Sequence, residues 1–150
     1  MKSSLLRILL APLLLCLAAA SFAVDTAAPA NDKLSAARAR IAAKDWPGAV
    51  DELKRANDPK SADWNNLMGY SLRKAGAANA SESERYYNEA LRIDPKHKGA
   101  NEYLGEAYLM VGNLPKAKEQ LATLDKICVL SCPEYSELKK SIADYERKGK

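Results

Sequence analysis

Three small residues, Ala49, Ser83 and Ala117, stand 34 positions apart along the 150-residue chain. Leu53, Tyr87 and Leu121 keep the same interval, and so do Ala56, Ala90 and Leu124. Three registers sharing one period mean that one helix–turn–helix unit is used about three times. A single unit of this size cannot bury its apolar face, so the units must stack, and small residues let neighbouring helices approach closely. The first helix of each unit follows the period less evenly, with Ala37, Gly69 and Gly105 separated by 32 and 36 positions. Two extra residues in the turn "GAANA" and a shorter link before that unit account for the offset.

Composition agrees with an all-helical reading. From Asp32 onward the chain is rich in Ala, Leu, Lys, Glu and Arg and poor in β-branched residues, with short breaks at Gly, Pro, Asn and Asp. Helices are predicted at 32–43, 47–56, 64–74, 81–93, 100–111 and 115–127. Ser81 and Glu84 have capping-box spacing, as do Ser131 and Glu134 ahead of a seventh helix with Pro133 in its first turn. That last helix carries Tyr135, Leu138, Ile142 and Tyr145 as one apolar stripe.

The N-terminus reads as an export signal. Lys2 and Arg7 precede an apolar run over 5–20, and Ser21 and Ala23 fit a small-x-small cleavage site, so removal after Ala23 is expected. The run is shorter than the roughly 20 apolar residues needed to span a bilayer and contains Pro12. Leu15 before Cys16 argues against lipidation. Residues 24–31 follow as a flexible lead-in. Loss of residues 1–23 lowers the net charge from +4 to +2 and the cysteine count from three to two. Such mild charge implies neither nucleic acid nor an anionic membrane as partner. A periplasmic or secreted location is expected, without membrane insertion after cleavage.

Catalytic signatures are missing from the sequence. Its one histidine, His97, lies in the turn "DPKHKG", where a solvated side chain is expected. No Ser-His-Asp set, HExxH, phosphate-binding glycine loop or dinucleotide fingerprint occurs. The reading is of a protein that is not an enzyme and needs no metal or cofactor. Tyr86, Tyr87, Tyr103 and Tyr108 are expected mostly in the core, Trp46 as a staple ahead of its helix, and Trp64 between units.

The third unit carries Leu104-Gly105, Tyr108, Gly112 and Ala117 in order, and the second carries "NNLMGYSLRKAG" and "YYNEALRIDP". In these motifs the chain resembles the tetratricopeptide repeat family over about 32–127. The resemblance implies a right-handed superhelical array of about three units, at 32–60, 61–96 and 97–130, closed by a capping helix at 131–150. It also implies a concave groove lined by the first helix of each pair, where a protein or peptide partner binds. Carried onto this chain, the groove positions are Asn66, Tyr70, Arg73 and Lys74 in the second unit and Glu102, Glu106, Leu109 and Met110 in the third. Leu34, Arg38 and Ile41 hold the same places in the degenerate first unit, where Ala37 replaces the usual glycine. The open ends of a short array leave room for self-association.

Cys128 and Cys132 would be the two cysteines of the mature chain, and an even count in an exported protein reads first as a disulfide. Four residues apart within one helix they would not meet, but a helix ending near Ile127 places them across a turn. Such a bridge would set the angle of the last helix. The alternative is a copper-binding or thiol–disulfide protein using this Cys-x3-Cys pair. The leading reading is an adaptor of the cell envelope that binds another polypeptide.

Overall fold

The structure is a computed structural model that describes residues 32–130 and 132–149. The signal peptide expected at 1–23, the lead-in at 24–31 and Ser131 lie outside the described residues. The described chain forms seven α-helices: α1 (Ser35–Ala42), α2 (Trp46–Ala56), α3 (Ala62–Ala75), α4 (Ala80–Ile93), α5 (Lys98–Met110), α6 (Leu114–Ile127) and α7 (Pro133–Arg147). No strand occurs among the described residues, and none of their helices is long and apolar enough to cross a membrane.

Most helix starts are written in side chains that accept from an early backbone N–H, which would otherwise lack a partner. Asp45 Oδ1 accepts from Gly48 N at 3.0 Å, Ser61 Oγ from Trp64 N at 3.2 Å and Asn113 Oδ1 from Lys116 N at 3.2 Å. Proline in the first turn reinforces α2, α6 and α7. At the other end of α2, Asn57 adopts a left-handed conformation (φ 43°) and stops the helix before the "DPK" turn.

Two expected caps form differently. The additional residues of "GAANA" wind into a 3₁₀ turn, Ala77–Asn79, that feeds straight into α4. Ser81 therefore lies inside the helix and no capping box with Glu84 forms. Asn79 instead turns back, its Nδ2 donating to Leu72 O at 3.2 Å. At α7 the N-cap position is Cys132, which makes no side-chain cap.

The helices stack in sequence, and the first helix of each pair also touches the next first helix: α1 meets α3, α3 meets α5, and α5 meets α7. The result is a right-handed superhelical array of three helix pairs with α7 closing its end. Ala49, Ser83 and Ala117 are all fully buried, as are Leu53, Tyr87, Ala90 and Leu124, while Ala56 and Leu121 are half-buried. The glycines are needed for close approach. A Cβ at Gly69 would stand 2.8 Å from the Tyr87 ring, and one at Gly105 2.6 Å from Leu138. Leu138 and Ile142 in turn follow Leu104 and Tyr108 by 34 positions, so α7 carries the register of a further first helix.

Two cores result. One joins Leu34, Ala37, Val50, Leu53, Trp64, Met68 and Leu72, and the Trp64 indole donates to Leu53 O at 2.7 Å. Trp64 thus ties the first unit to the second through both packing and a hydrogen bond. The other core joins Tyr87, Leu104, Tyr108, Leu109, Ala117, Leu124, Leu138 and Ile142.

Candidate functional site

The first helices place a row of aromatic and charged side chains on one face. Tyr70 of α3 and Tyr103 of α5 lie with ring centroids 4.7 Å apart, and Trp46, at the start of α2, meets Tyr70 edge-on at 5.9 Å. All three are half-buried, so each keeps part of its ring open to solvent. Half-buried aromatics of this kind contribute large contact area at little conformational cost.

Arg73 sits at the centre. Its guanidinium carbon is 5.8 Å from the Tyr70 centroid and 5.7 Å from that of Tyr103. Nη2 pairs with Glu106 Oε2 at 2.8 Å, and Nε donates to the Tyr87 hydroxyl at 3.3 Å. Glu106 Oε1 accepts from Ser141 Oγ at 3.3 Å, which links α3, α5 and α7 through one network. Burial works against the Arg73 charge, but Tyr87 and Glu106 more than offset it and its pKa is raised. Burial also pushes the Tyr87 phenol well above its ordinary range and Tyr103 to about 12.

Glu102 faces the same region from α5 and is only 9% exposed. Its carboxyl pKa is pushed up to about 7, by burial first and then by Glu106, Glu134 and Glu137, with Arg73 pulling the other way. Asn66 of α3 is 7% exposed, and its Oδ1 is buried without a hydrogen-bond partner among the described residues.

The eight groove positions named from the sequence therefore divide. Tyr70, Lys74, Glu106 and Met110 offer surface, with Lys74 Nζ 5.5 Å from the Tyr70 centroid and Met110 55% exposed. Asn66, Arg73 and Glu102 are recessed beneath them. Leu109 belongs to the second core and presents little to a ligand. In the first unit, Leu34 is buried in the other core, Ile41 is half-buried, and exposed Arg38 pairs with Asp63 at 3.2 Å.

His97 departs from expectation. Rather than being solvated, its side chain is 14% exposed and caps α5, Nδ1 accepting from Ala100 N at 3.0 Å. A nitrogen that accepts carries no proton, so Nε2–H donates to Asp63 Oδ1, 2.9 Å away. Asp63 also receives Arg38, giving a second polar chain across α1, α3 and the start of α5. Asn65 and Asn101 clamp the two "DPK" turns alike: Asn65 Nδ2 donates to Pro59 O and Ser61 O, and Asn101 Nδ2 to Pro95 O and His97 O. Both follow their turn's aspartate by seven positions, a repeat readable in the sequence. Trp46 and Tyr103 joined the face without such a signal, because their positions are not equivalent between units.

At the far end Cys128 and Cys132 are bonded through sulfur, with Cα atoms 5.7 Å apart, between the end of α6 and the start of α7. Val129 and Leu130, inside the loop they close, are exposed. No group of three or more His, Cys, Asp or Glu placed to hold a metal occurs among the described residues.

A family model described as tetratricopeptide repeat matches residues 73–142. Over those residues the chain carries tetratricopeptide repeats. No curated protein matches it in sequence. Among solved structures it is similar to the Yersinia enterocolitica type III secretion chaperone SycD in complex with a peptide of the translocator YopD. That match has a TM-score of 0.64 at 14% identity and covers 79% of this chain and 92% of SycD. The yeast Sti1 TPR2B domain, in complex with pHsp70, matches with a TM-score of 0.66 at 19% identity, covering 75% and 92%. These likenesses bear on the tetratricopeptide fold alone.

Proposed function

We propose that the protein is an exported, non-catalytic adaptor that holds an extended segment of another polypeptide against the face of Tyr70, Tyr103, Lys74 and Met110. The observation that carries this reading is the half-buried aromatic row from Trp46 through Tyr70 to Tyr103, set over recessed polar groups. Aromatic surface bordered by polar rims is the usual composition of binding patches. SycD and the Sti1 domain, each solved with a peptide or protein partner, support the same use of a related fold. Export is supported by the signal-like residues 1–23 and by the bonded cysteines, since disulfides persist in oxidising compartments.

Site-specific photo-crosslinking in the producing cell tests the face. A photoreactive residue replacing exposed Lys74 is expected to capture a polypeptide partner, and one replacing exposed Arg92 on α4 is not. Equal capture at the two positions would overturn the assignment.

A further inference from the structure

One buried acceptor on this face lacks a donor. Asn66 Oδ1 on α3 makes no hydrogen bond with any described residue. Glu102 on α5 is 9% exposed, and its carboxylate, which still reaches solvent, enters none of the side-chain hydrogen bonds or ion pairs among the described residues. The two hold equivalent places on adjacent first helices, 36 positions apart, as Gly69 and Gly105 do. Asn66 packs against Gly99 in the first turn of α5, one turn before Glu102; a Cβ at Gly99 would stand 3.2 Å from Asn66 Nδ2.

Folded proteins seldom bury an acceptor without a donor, as Asn66 Oδ1 is buried, and a recessed carboxylate favours a nearby cation. The chain's own nearby cations are placed elsewhere. Arg73 pairs with Glu106 and Tyr87, and Lys74 lies over the Tyr70 ring. Glu106 on the same helix and Glu134 and Glu137 from α7 deepen the negative potential around Glu102. The Tyr70 and Tyr103 rings stand beside it and attract cations through their faces. A lysine or arginine side chain answers this set: several donors, positive charge, and a flexible stem that reaches a recessed carboxylate while its backbone stays at the rim.

We propose that Glu102 and Asn66 form a receptor for one lysine or arginine side chain of the polypeptide held on this face. The inference rests on the binding-face reading above and names the chemistry that the face selects.

The test selects a random displayed peptide library on the purified protein and re-measures the recovered peptides in solution. They are expected to share a basic residue, whose replacement by norleucine (for lysine) or citrulline (for arginine) weakens binding about tenfold or more. With the Glu102→Gln protein that difference should fall to about twofold or less. Binding to the unaltered protein should strengthen from pH 6 to pH 8, because Glu102, faced by Glu106, Glu134, Glu137, Arg73, Tyr70 and Tyr103, loses its proton in that window. Binding to Glu102→Gln should lack that rise. Peptides that lose binding in Lys74→Glu or Met110→Arg proteins yet carry no basic residue would overturn the receptor and leave the face standing. Peptides indifferent to both of those variants, or no recovered peptides at all, would overturn both.

Discussion

At the N-terminal end of the array the outermost helix, α1, has eight residues and buries one of them, Ala37; at the C-terminal end α7 has fifteen and buries Leu138 and Ile142. The same register is thus closed in two ways. The N-terminal core depends on Trp64, which fills the space between units and donates to Leu53 O. The C-terminal core adds a helix that continues the period, a sulfur bridge, and links from Glu106 to Ser141 and from Lys118 to Glu146. Because a repeat array is stabilised by nearest neighbours, its ends need not melt together. The acidic part of the proposed binding face lies at the better-held end, where α7 contributes Glu134 and Glu137.

The largest expected effects come from a matched pair of truncations. Trp64→Ala should cost about 3–5 kcal/mol and Leu138→Ala about 2–5 kcal/mol in denaturant unfolding. Hydrogen exchange should separate them: the first exposes amides of α1–α3 and spares α6–α7, and the second does the reverse. Uniform loss over all seven helices in both proteins would show a single cooperative unit and remove the contrast.

Smaller is the change from Cys128→Ser with Cys132→Ser. Closing so short a loop contributes roughly 2 kcal/mol by chain entropy. The loss should fall on α7 amides and leave α1 untouched; unchanged stability would mean that packing alone seats α7.

Smallest is a pH effect confined to the C-terminal half of the face. The folded-state pKa of Glu102, about 7, lies above its ordinary value of 4.5. Between those values the folded protein holds a proton that the unfolded chain has released, so this group's contribution to stability falls as pH rises through the window. Because solvent at the partly accessible carboxylate screens most of that shift, Glu102→Gln should be more stable than the unaltered protein by only about 1 kcal/mol at pH 8 and nearly equal to it at pH 4. A greater loss at pH 8 than at pH 4 would show that the carboxylate is stabilising.

Much of this architecture is legible in the sequence because the physics is local or periodic. Small residues at a 34-residue interval report helix contacts, and proline and glycine report turns. The cap of α4 was not legible: Ser81 and Glu84 have capping-box spacing, but a 3₁₀ turn from Ala77 supplies the preceding structure and puts Ser81 inside the helix. His97 was misread as solvated because its partner, Asp63, lies 34 positions away on another helix. On the face, helix periodicity identifies the side that carries Asn66, Arg73, Glu102 and Leu109. It does not show that neighbouring first helices stand close enough to recess all four.

The central claim, that a polypeptide binds where the first helices meet, is tested most directly by residue-resolved NMR of the protein with the segment captured through Lys74. The account predicts shifts concentrated at Asn66, Tyr70, Lys74, Glu102 and Tyr103, with exposed Arg85 and Arg92 of α4 unmoved. Shifts centred on α4 and α6, with Tyr70 and Tyr103 unmoved, would contradict it.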